Sequence, residues 1–281
     1  MYYALIVLST LLFSLNFFAN QGYQRLNGSS IHASLKYSLQ TSLVSFCIML
    51  ILSKFRLAFS WFSFWVALLN AGVYMTSSYC GIAALNTANL SVYSVFMMLG
   101  GMTLPSLYGI IFLGEPVTAG KLICCGLIVI SLLFTVERKG SSRKAYIYYV
   151  GCFVLNGLTA TVATMHQAGS AAVDGQSFLA MTNVFQILFC LVFLAINNRE
   201  MLKLRLKDLK FTAGGAACNG VANLLLLIAL KHVDASVQYP LVTGGVVVFS
   251  AMTTLITERK LSRNNIIAVI FAVLAAVFVI L

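Results

Sequence analysis

Uncharged polar side chains that recur inside long apolar stretches are the residues best able to bind a solute. Several lie four residues apart, which places them on one face of a helix, as with Asn16 and Asn20 or Asn219 and Asn223. Because a polar group inside a membrane span is costly, it usually faces a cavity or another helix. These stripes predict a solute-binding cavity. Its candidate residues are Asn16, Asn20, Lys36, Gln40, Tyr74, Ser78, Asn156, Thr159, Asn219, Asn223, Gln238 and Tyr239.

Each stripe has a second interpretation, because Asn, Ser and Thr in spans also join neighbouring helices, at about 0.6 kcal/mol per hydrogen bond. Two Asn on one face favour the cavity, since one helix contact does not require both. For Lys36 the alternatives are a cation that snorkels to the membrane interface and a cation that receives a carboxylate or phosphate. Asn70, Asn183 and Gln186 are further polar positions in spans and stand outside the candidate set.

The charged and nucleophilic residues indicate little chemistry of other kinds. All seven acidic residues fall in connections or at span ends, and the seven cysteines lack metal-site spacing. Neither a nucleophile–base pair nor a phosphate-binding loop occurs, so we expect no enzymatic activity, cofactor, metal or disulfide. Glu115 and Glu258 are predicted to be structural, because each precedes the N-terminus of a closing helix, where a negative charge meets the helix dipole.

The elements that must position these residues are membrane spans. Of the 281 residues, 60% are hydrophobic and 9% are charged, whereas a soluble domain is about a quarter charged. A soluble enzyme, a nucleic-acid-binding protein and a β-barrel are excluded. Runs of about 20 apolar residues each suffice to cross a bilayer as a helix. We predict an all-α integral membrane protein with ten transmembrane helices at 2–20, 31–53, 61–84, 90–113, 118–136, 145–168, 177–196, 211–231, 236–256 and 261–281.

The two halves of the chain, 1–140 and 141–281, carry matching landmarks. Gly100-Gly101 precedes Glu115 in the first half, and Gly244-Gly245 precedes Glu258 in the second, at an offset of about half the chain. With five spans each, the halves form inverted repeats, the usual build of secondary transporters. Gly and Pro permit kinks and close helix approach. The predicted gating positions, with close packing as the alternative, are Gly100, Gly101, Pro105, Pro240, Gly244 and Gly245.

The stretches Gly-Glu-Pro-Val-Thr (114–118) and Glu-Arg-Lys-Leu-Ser (258–262) close the two halves in the same way. With residues 235–245 and Asn156-Gly157, they make the chain resemble the drug/metabolite transporter superfamily, in its ten-helix, EamA-type branch. The resemblance covers essentially the whole chain. It implies a transporter of small metabolites, a group whose members carry amino acids, nucleotide sugars or quaternary amines.

We expect a secondary-type transporter of small polar organic metabolites, amino-acid-like or otherwise neutral or zwitterionic, working by alternating access. The alternatives are a quaternary-amine, cation or drug carrier, a partner of a lipid-linked sugar flippase, and a non-transporting membrane scaffold. The expected partners are a small-molecule substrate and the lipid bilayer, without nucleic acid. A homodimer stays open.

Basic residues in short loops mark the cytoplasmic side of a membrane protein. The side that holds both termini carries four of them, and the opposite side carries 13 of the 18. We therefore predict a multi-pass protein of the plasma (inner) membrane with its termini outside, although relatives in the resembled family mostly keep theirs in the cytoplasm. Met1–Asn20 lacks a positive n-region, so we interpret it as the first span and not as a cleaved signal.

Overall fold

The computed structural model describes residues 2–28, 30–87, 90–134, 145–197, 208–258 and 263–280. Over these residues the chain forms helices and no strand. The ten helices are α1 (Tyr2–Asn27), α2 (Ile31–Leu52), α3 (Trp61–Thr87), α4 (Leu90–Phe112), α5 (Ala119–Phe134), α6 (Ala145–Ala168), α7 (Gly175–Asn197), α8 (Leu209–Ala229), α9 (Ala235–Glu258) and α10 (Arg263–Ile280).

The helix bounds follow the predicted spans closely, except at the end of α1. The sequence predicts a polar break from residue 21, but α1 continues to Asn27. The added turns are held by packing, because Tyr23 is buried and its ring lies 4.9 Å from that of Tyr37. Gly28 then ends the helix with a φ of +77°, a conformation that glycine adopts without strain.

Within the described ranges, six of the helices are long and apolar enough to cross a membrane. Large apolar side chains such as Ile111, Ile147 and Ile196 are exposed on the outside of the bundle, as a lipid-facing surface requires. Shorter apolar segments lie in α5, α9 and α10. These features are those of a helical membrane protein. The six long segments are Tyr2–Asn20, His32–Leu52, Val95–Phe112, Ile147–Ala168, Gly175–Ile196 and Leu209–Ala229.

The helices pair mainly across the two halves of the chain. The most extensive contacts join α1 with α8, α2 with α7, α4 and α3 with α6, and α5 with α10. Neighbours in sequence within the first half, such as α1 and α2, touch only slightly. Residues 1–140 and 141–281 therefore share one interior, and a space enclosed between helices takes its walls from both halves.

Glu115, in the α4–α5 connection, lies at one end of the bundle beside Ala168 at the end of α6 and Lys231 in the α8–α9 connection; we call it the Glu115 end. The Tyr2 ring, at the start of α1, stacks on His232 in the α8–α9 connection at 4.0 Å. Ser60, before α3, donates to the carbonyl of Ala171, after α6, at 2.8 Å. Because α1 starts at this end and α6 finishes at it, the two helices run in opposite directions.

Candidate functional site

A cavity of about 330 Å³ lies between the two halves, within the size range of small-ligand sites. Eight helices contribute to its wall, and α5 and α10 do not. Every described side chain in the wall is uncharged. The polar residues that line it are Thr41, Ser42, Ser45, Asn70, Tyr74, Asn156, Thr159, Thr182, Asn183, Gln186, Asn219, Asn223, Tyr239 and Thr243.

Half of the candidate binding residues meet at this cavity. They come from α3, α6, α8 and α9, and so from both halves of the chain. Gly101, one of the predicted gating positions, also lines the cavity. The six candidate residues in the wall are Tyr74, Asn156, Thr159, Asn219, Asn223 and Tyr239.

The other candidates lie outside the cavity wall. Asn16 accepts a hydrogen bond from the Tyr37 hydroxyl at 3.5 Å. Both side chains pack against α8 at Gly215, which has no side chain to exclude them. Gln238 is fully buried and donates to the carbonyl of Leu226 at 3.1 Å. These two residues join helices in this structure. The remaining four are Asn20, Lys36, Gln40 and Ser78, of which Gln40 is buried.

The wall formed by α2 and α7 holds no residue of the candidate set. Ser42 donates to Oε1 of Gln186 at 2.9 Å, and Nδ2 of Asn183 donates to Ser45 at 3.0 Å. The signal was a spacing of three residues, which also places side chains on one helix face. The sequence named Asn183 and Gln186 as polar positions of α7 but left them out of the candidate set, and it did not name Ser42 and Ser45, which have the same spacing in α2. The lining residues outside the candidate set are Thr41, Ser42, Ser45, Asn70, Thr182, Asn183, Gln186 and Thr243.

Asn156 combines the two roles that the sequence offered as alternatives. Its side chain lines the cavity, and its Nδ2 donates to the carbonyl of Met97 in α4 at 2.8 Å. A Cβ at Gly101 would meet this amide nitrogen at 2.8 Å. The absence of a side chain at residue 101 therefore lets Asn156 reach the backbone of α4 while it remains in the cavity wall.

The paired amides of α8 hold each other in place. Nδ2 of Asn223 donates to the backbone carbonyl of Asn219 at 2.8 Å and to its Oδ1 at 3.3 Å. Both side chains line the cavity. This arrangement fixes their orientation, so the cavity presents a preorganised hydrogen-bonding surface to a solute.

The glycines predicted to act in gating lie at close helix contacts. A Cβ at Gly100 would collide with the carbonyl oxygen of Phe153, and one at Gly157 would meet the carbonyl oxygen of Gly100 at 2.6 Å. At Gly244 and Gly245 a Cβ would meet Ile128 at 2.7 Å and Thr10 at 2.8 Å. Close packing thus accounts for these positions, and their role in gating stays a prediction. Pro105 and Pro240 lie inside α4 and α9.

Glu115 is placed as a helix cap, but on a different helix from the one that the sequence indicated. Its carboxylate accepts from the backbone N–H of Ala235 at 2.7 Å and of Ser236 at 2.9 Å, and from the Ser236 hydroxyl. It therefore caps the N-terminus of α9 and not that of α5, because the α4–α5 turn lies over the α8–α9 connection. The Glu258 side chain lies outside the described part of the structure.

An ion pair strengthens the same junction. Nζ of Lys121 lies 2.7 Å from Oδ2 of Asp234 and donates to the carbonyl of Pro116 at 3.0 Å. The Lys121 side chain is 8% exposed but that of Asp234 is 44% exposed, so solvent partly screens this pair. The start of α5 is thus tied to the residue before α9.

Comparison with known proteins adds evidence on the fold alone. No family model and no curated protein matches the sequence. Among solved structures, 29 chains match. One of these, described only as "Crystal structure of protein", superposes with a TM-score of 0.80 at 13% sequence identity, over 98% of this chain and 94% of the other. The helical architecture is therefore shared along essentially the whole length of both chains.

Proposed function

We propose that the protein is a secondary-type transporter of small polar organic solutes that works by alternating access. The observation that carries this proposal is the uncharged polar cavity between the two halves of a helical membrane protein. All ten helices cross the membrane in this proposal. The EamA-type likeness of the sequence supports the same activity.

Two inverted five-helix repeats are part of the proposal, and the helix pairing supports them. If the two halves are repeats, replacing each of α1–α5 by the matching helix of α6–α10, and the reverse, must turn each contact into another contact of the structure. The α1–α8 contact then becomes α6–α3. The same exchange turns α2–α8 into α7–α3, and returns α2–α7, α4–α9 and α5–α10 to themselves. All of these contacts are present. The opposite directions of α1 and α6 fit an inverted arrangement of this kind.

The solute is neutral or zwitterionic and amino-acid-like in size. A charged solute in this cavity would lie among amides, hydroxyls and apolar groups with no counter-ion in the described wall, and an unpaired buried charge is costly. A quaternary amine or another organic cation is the second candidate. Four aromatic residues line the cavity, and aromatic faces attract cations. They are Phe13, Tyr74, Phe178 and Tyr239.

The orientation follows from the loop charges. The Glu115 end, which holds the start of α1, faces outward, and the basic connections at the opposite end face the cytoplasm of a plasma (inner) membrane. A fluorophore that matures only in the cytoplasm, fused after Leu281, stays dark in this orientation, whereas a phosphatase active only outside gives activity. The reverse result overturns the orientation.

Uptake into liposomes tests the transport activity. Purified protein is reconstituted with radiolabelled neutral amino acids, choline and glucose as three solute classes. We expect saturable uptake of the amino acids, which Ala163→Phe abolishes by filling the cavity. Val150→Phe is the matched control, because Val150 lies on the same helix and is 54% exposed on the outside. Saturable uptake of choline alone selects the second candidate, and no saturable uptake of any class refutes the proposal.

A further inference from the structure

A second cavity, of about 290 Å³, adjoins the first at the Glu115 end. Leu230 lines both cavities. Thr164 lines the second cavity and Tyr239 lines the first, and their hydroxyl oxygens lie 3.0 Å apart in a hydrogen bond. This hydrogen bond therefore joins a side chain of one wall to a side chain of the other, beside the shared residue Leu230.

The position of Tyr239 depends on the first turn of α9. Its hydroxyl lies 3.1 Å from the carbonyl oxygen of Ala160 in α6 as well as against Thr164. Since a helix rises 1.5 Å per residue, Tyr239 lies about 6 Å along α9 from Ala235, where the helix begins. The carboxylate of Glu115 binds the N–H groups of Ala235 and Ser236, so it anchors the turn that carries Tyr239.

The same turn lacks one backbone hydrogen bond to the rest of α9. Pro240 has no N–H and therefore cannot donate to the carbonyl of Ser236, the residue that Glu115 holds. Prolines within helices allow a bend at this place. Gly109 in α4 makes room for the carboxylate, because a Cβ there would meet Oε1 of Glu115 at 2.5 Å. Glu115 thus binds a turn that lacks one backbone hydrogen bond to the rest of α9, while Gln238 joins the same part of α9 to α8.

We infer that the second cavity continues the transport path and that the Thr164–Tyr239 pair is the partition within it. The Glu115 cap holds this partition closed, and its release lets the first turn of α9 move away from α6. The inference rests on the proposed transport function. Charged side chains in the second cavity are Glu115 and Lys231, whose opposite signs suit the passage of a solute without net charge.

Thiol accessibility tests the partition without a known substrate. Ala163 lines the first cavity and Ala168 the second, both on α6, so Ala163→Cys and Ala168→Cys report on the two sides of Tyr239. A membrane-impermeant sulfonated thiol reagent is added at the Glu115 end, and mass spectrometry reads each site against the seven native free cysteines. We expect Ala168→Cys to react, and Ala163→Cys to react about tenfold more slowly.

Adding Glu115→Gln or Tyr239→Phe is expected to raise the reaction rate at Ala163→Cys about tenfold and to leave Ala168→Cys unchanged. Asp174→Asn is the matched control, because Asp174 caps α7 at the same end through Ser177 and does not touch α9 in the described contacts. Glu115→Asp restores the slow rate. Unchanged rates at Ala163→Cys in both variants overturn the partition even when solute uptake is seen. A faster rate without uptake of any solute supports the partition and refutes the proposed transport.

Discussion

The α5–α10 contact and the wall of the central cavity both join the two halves of the chain, yet different side chains fill them. Between α5 and α10, Ile128 and Leu132 are buried against the small residues Ala268, Ala272 and Ala275. Small side chains let helix backbones approach closely in a membrane. This contact is therefore tightly packed and, apart from Ser131, apolar, and α5 and α10 contribute no residue to the cavity wall.

In the cavity wall, amides and hydroxyls join the helices, whereas apolar side chains do so between α5 and α10. Ser42 and Gln186 join α2 to α7 across the wall, and Asn156 joins α6 to α4. The terminal polar atoms of these side chains bond neighbouring helices together, and the space beside the side chains stays open. Polar contacts occur in both regions, as Ser131 shows between α5 and α10, but only in the cavity wall do several of them border an open space.

Overpacking the α5–α10 contact is the largest expected perturbation. Ala272 is 1% exposed, so Ala272→Leu introduces three carbons where no space remains. We expect a loss of about 1–3 kcal/mol of stability, seen as a lower Tm and less monodisperse protein in detergent. Val273→Leu is the control, because its neighbour Val273 is 48% exposed. Equal Tm values for the two variants contradict the tight packing.

Removing the amide of Asn156 perturbs the cavity and a helix contact together. Asn156→Ala deletes the hydrogen bond to Met97 and a polar group in the wall. We expect solute uptake in liposomes to fall about tenfold, the equivalent of 1.4 kcal/mol, with a smaller fall in Tm than in Ala272→Leu. Asn156→Ser, which keeps a shorter polar group, is expected to lie between. Unchanged uptake in both variants would show that the Asn156 amide does not contribute to solute binding.

The helices could be predicted because long apolar runs and their polar breaks are local features. What each polar face meets is not local. Asn16 and Asn219 belong to similar stripes, but Asn16 packs against Gly215 of α8 while Asn219 faces the cavity. The spacing gives the face of a helix, and the partner of that face depends on how the two halves pair.

Glu115 illustrates the same limit. A carboxylate just before a helix indicates a cap, and the sequence places α5 next in line. The cap is made instead on α9, 120 residues further along the chain. Only the placement of the α4–α5 turn over the α8–α9 connection determines this partner, and no spacing within either segment encodes it.

Comparing Asn219→Ala with Asn16→Ala sharpens the distinction between cavity and helix contact. Asn219→Ala is expected to lower uptake about threefold, the equivalent of one membrane hydrogen bond of 0.6 kcal/mol, with little change in Tm. Asn16→Ala is expected to lower Tm slightly and leave the KM for uptake unchanged, because its amide contacts Tyr37 and not the cavity. If Asn16→Ala instead lowered uptake and Asn219→Ala instead lowered Tm, Asn16 would be the solute-binding residue and Asn219 the helix contact.

The smallest expected effect lies at the single side-chain hydrogen bond that we describe between α5 and α10. Ser131 is fully buried and donates to the carbonyl of Ala268 at 2.6 Å. That carbonyl also belongs to the helix ladder of α10, so Ser131→Ala removes an added bond and leaves the backbone satisfied. We expect a cost of about 0.6 kcal/mol, seen as a small fall in Tm, and unchanged uptake because α5 and α10 lie away from the cavity wall. A measurable loss of uptake would show that this contact also moves during transport, and the apolar contact would then no longer be a passive counterpart of the cavity.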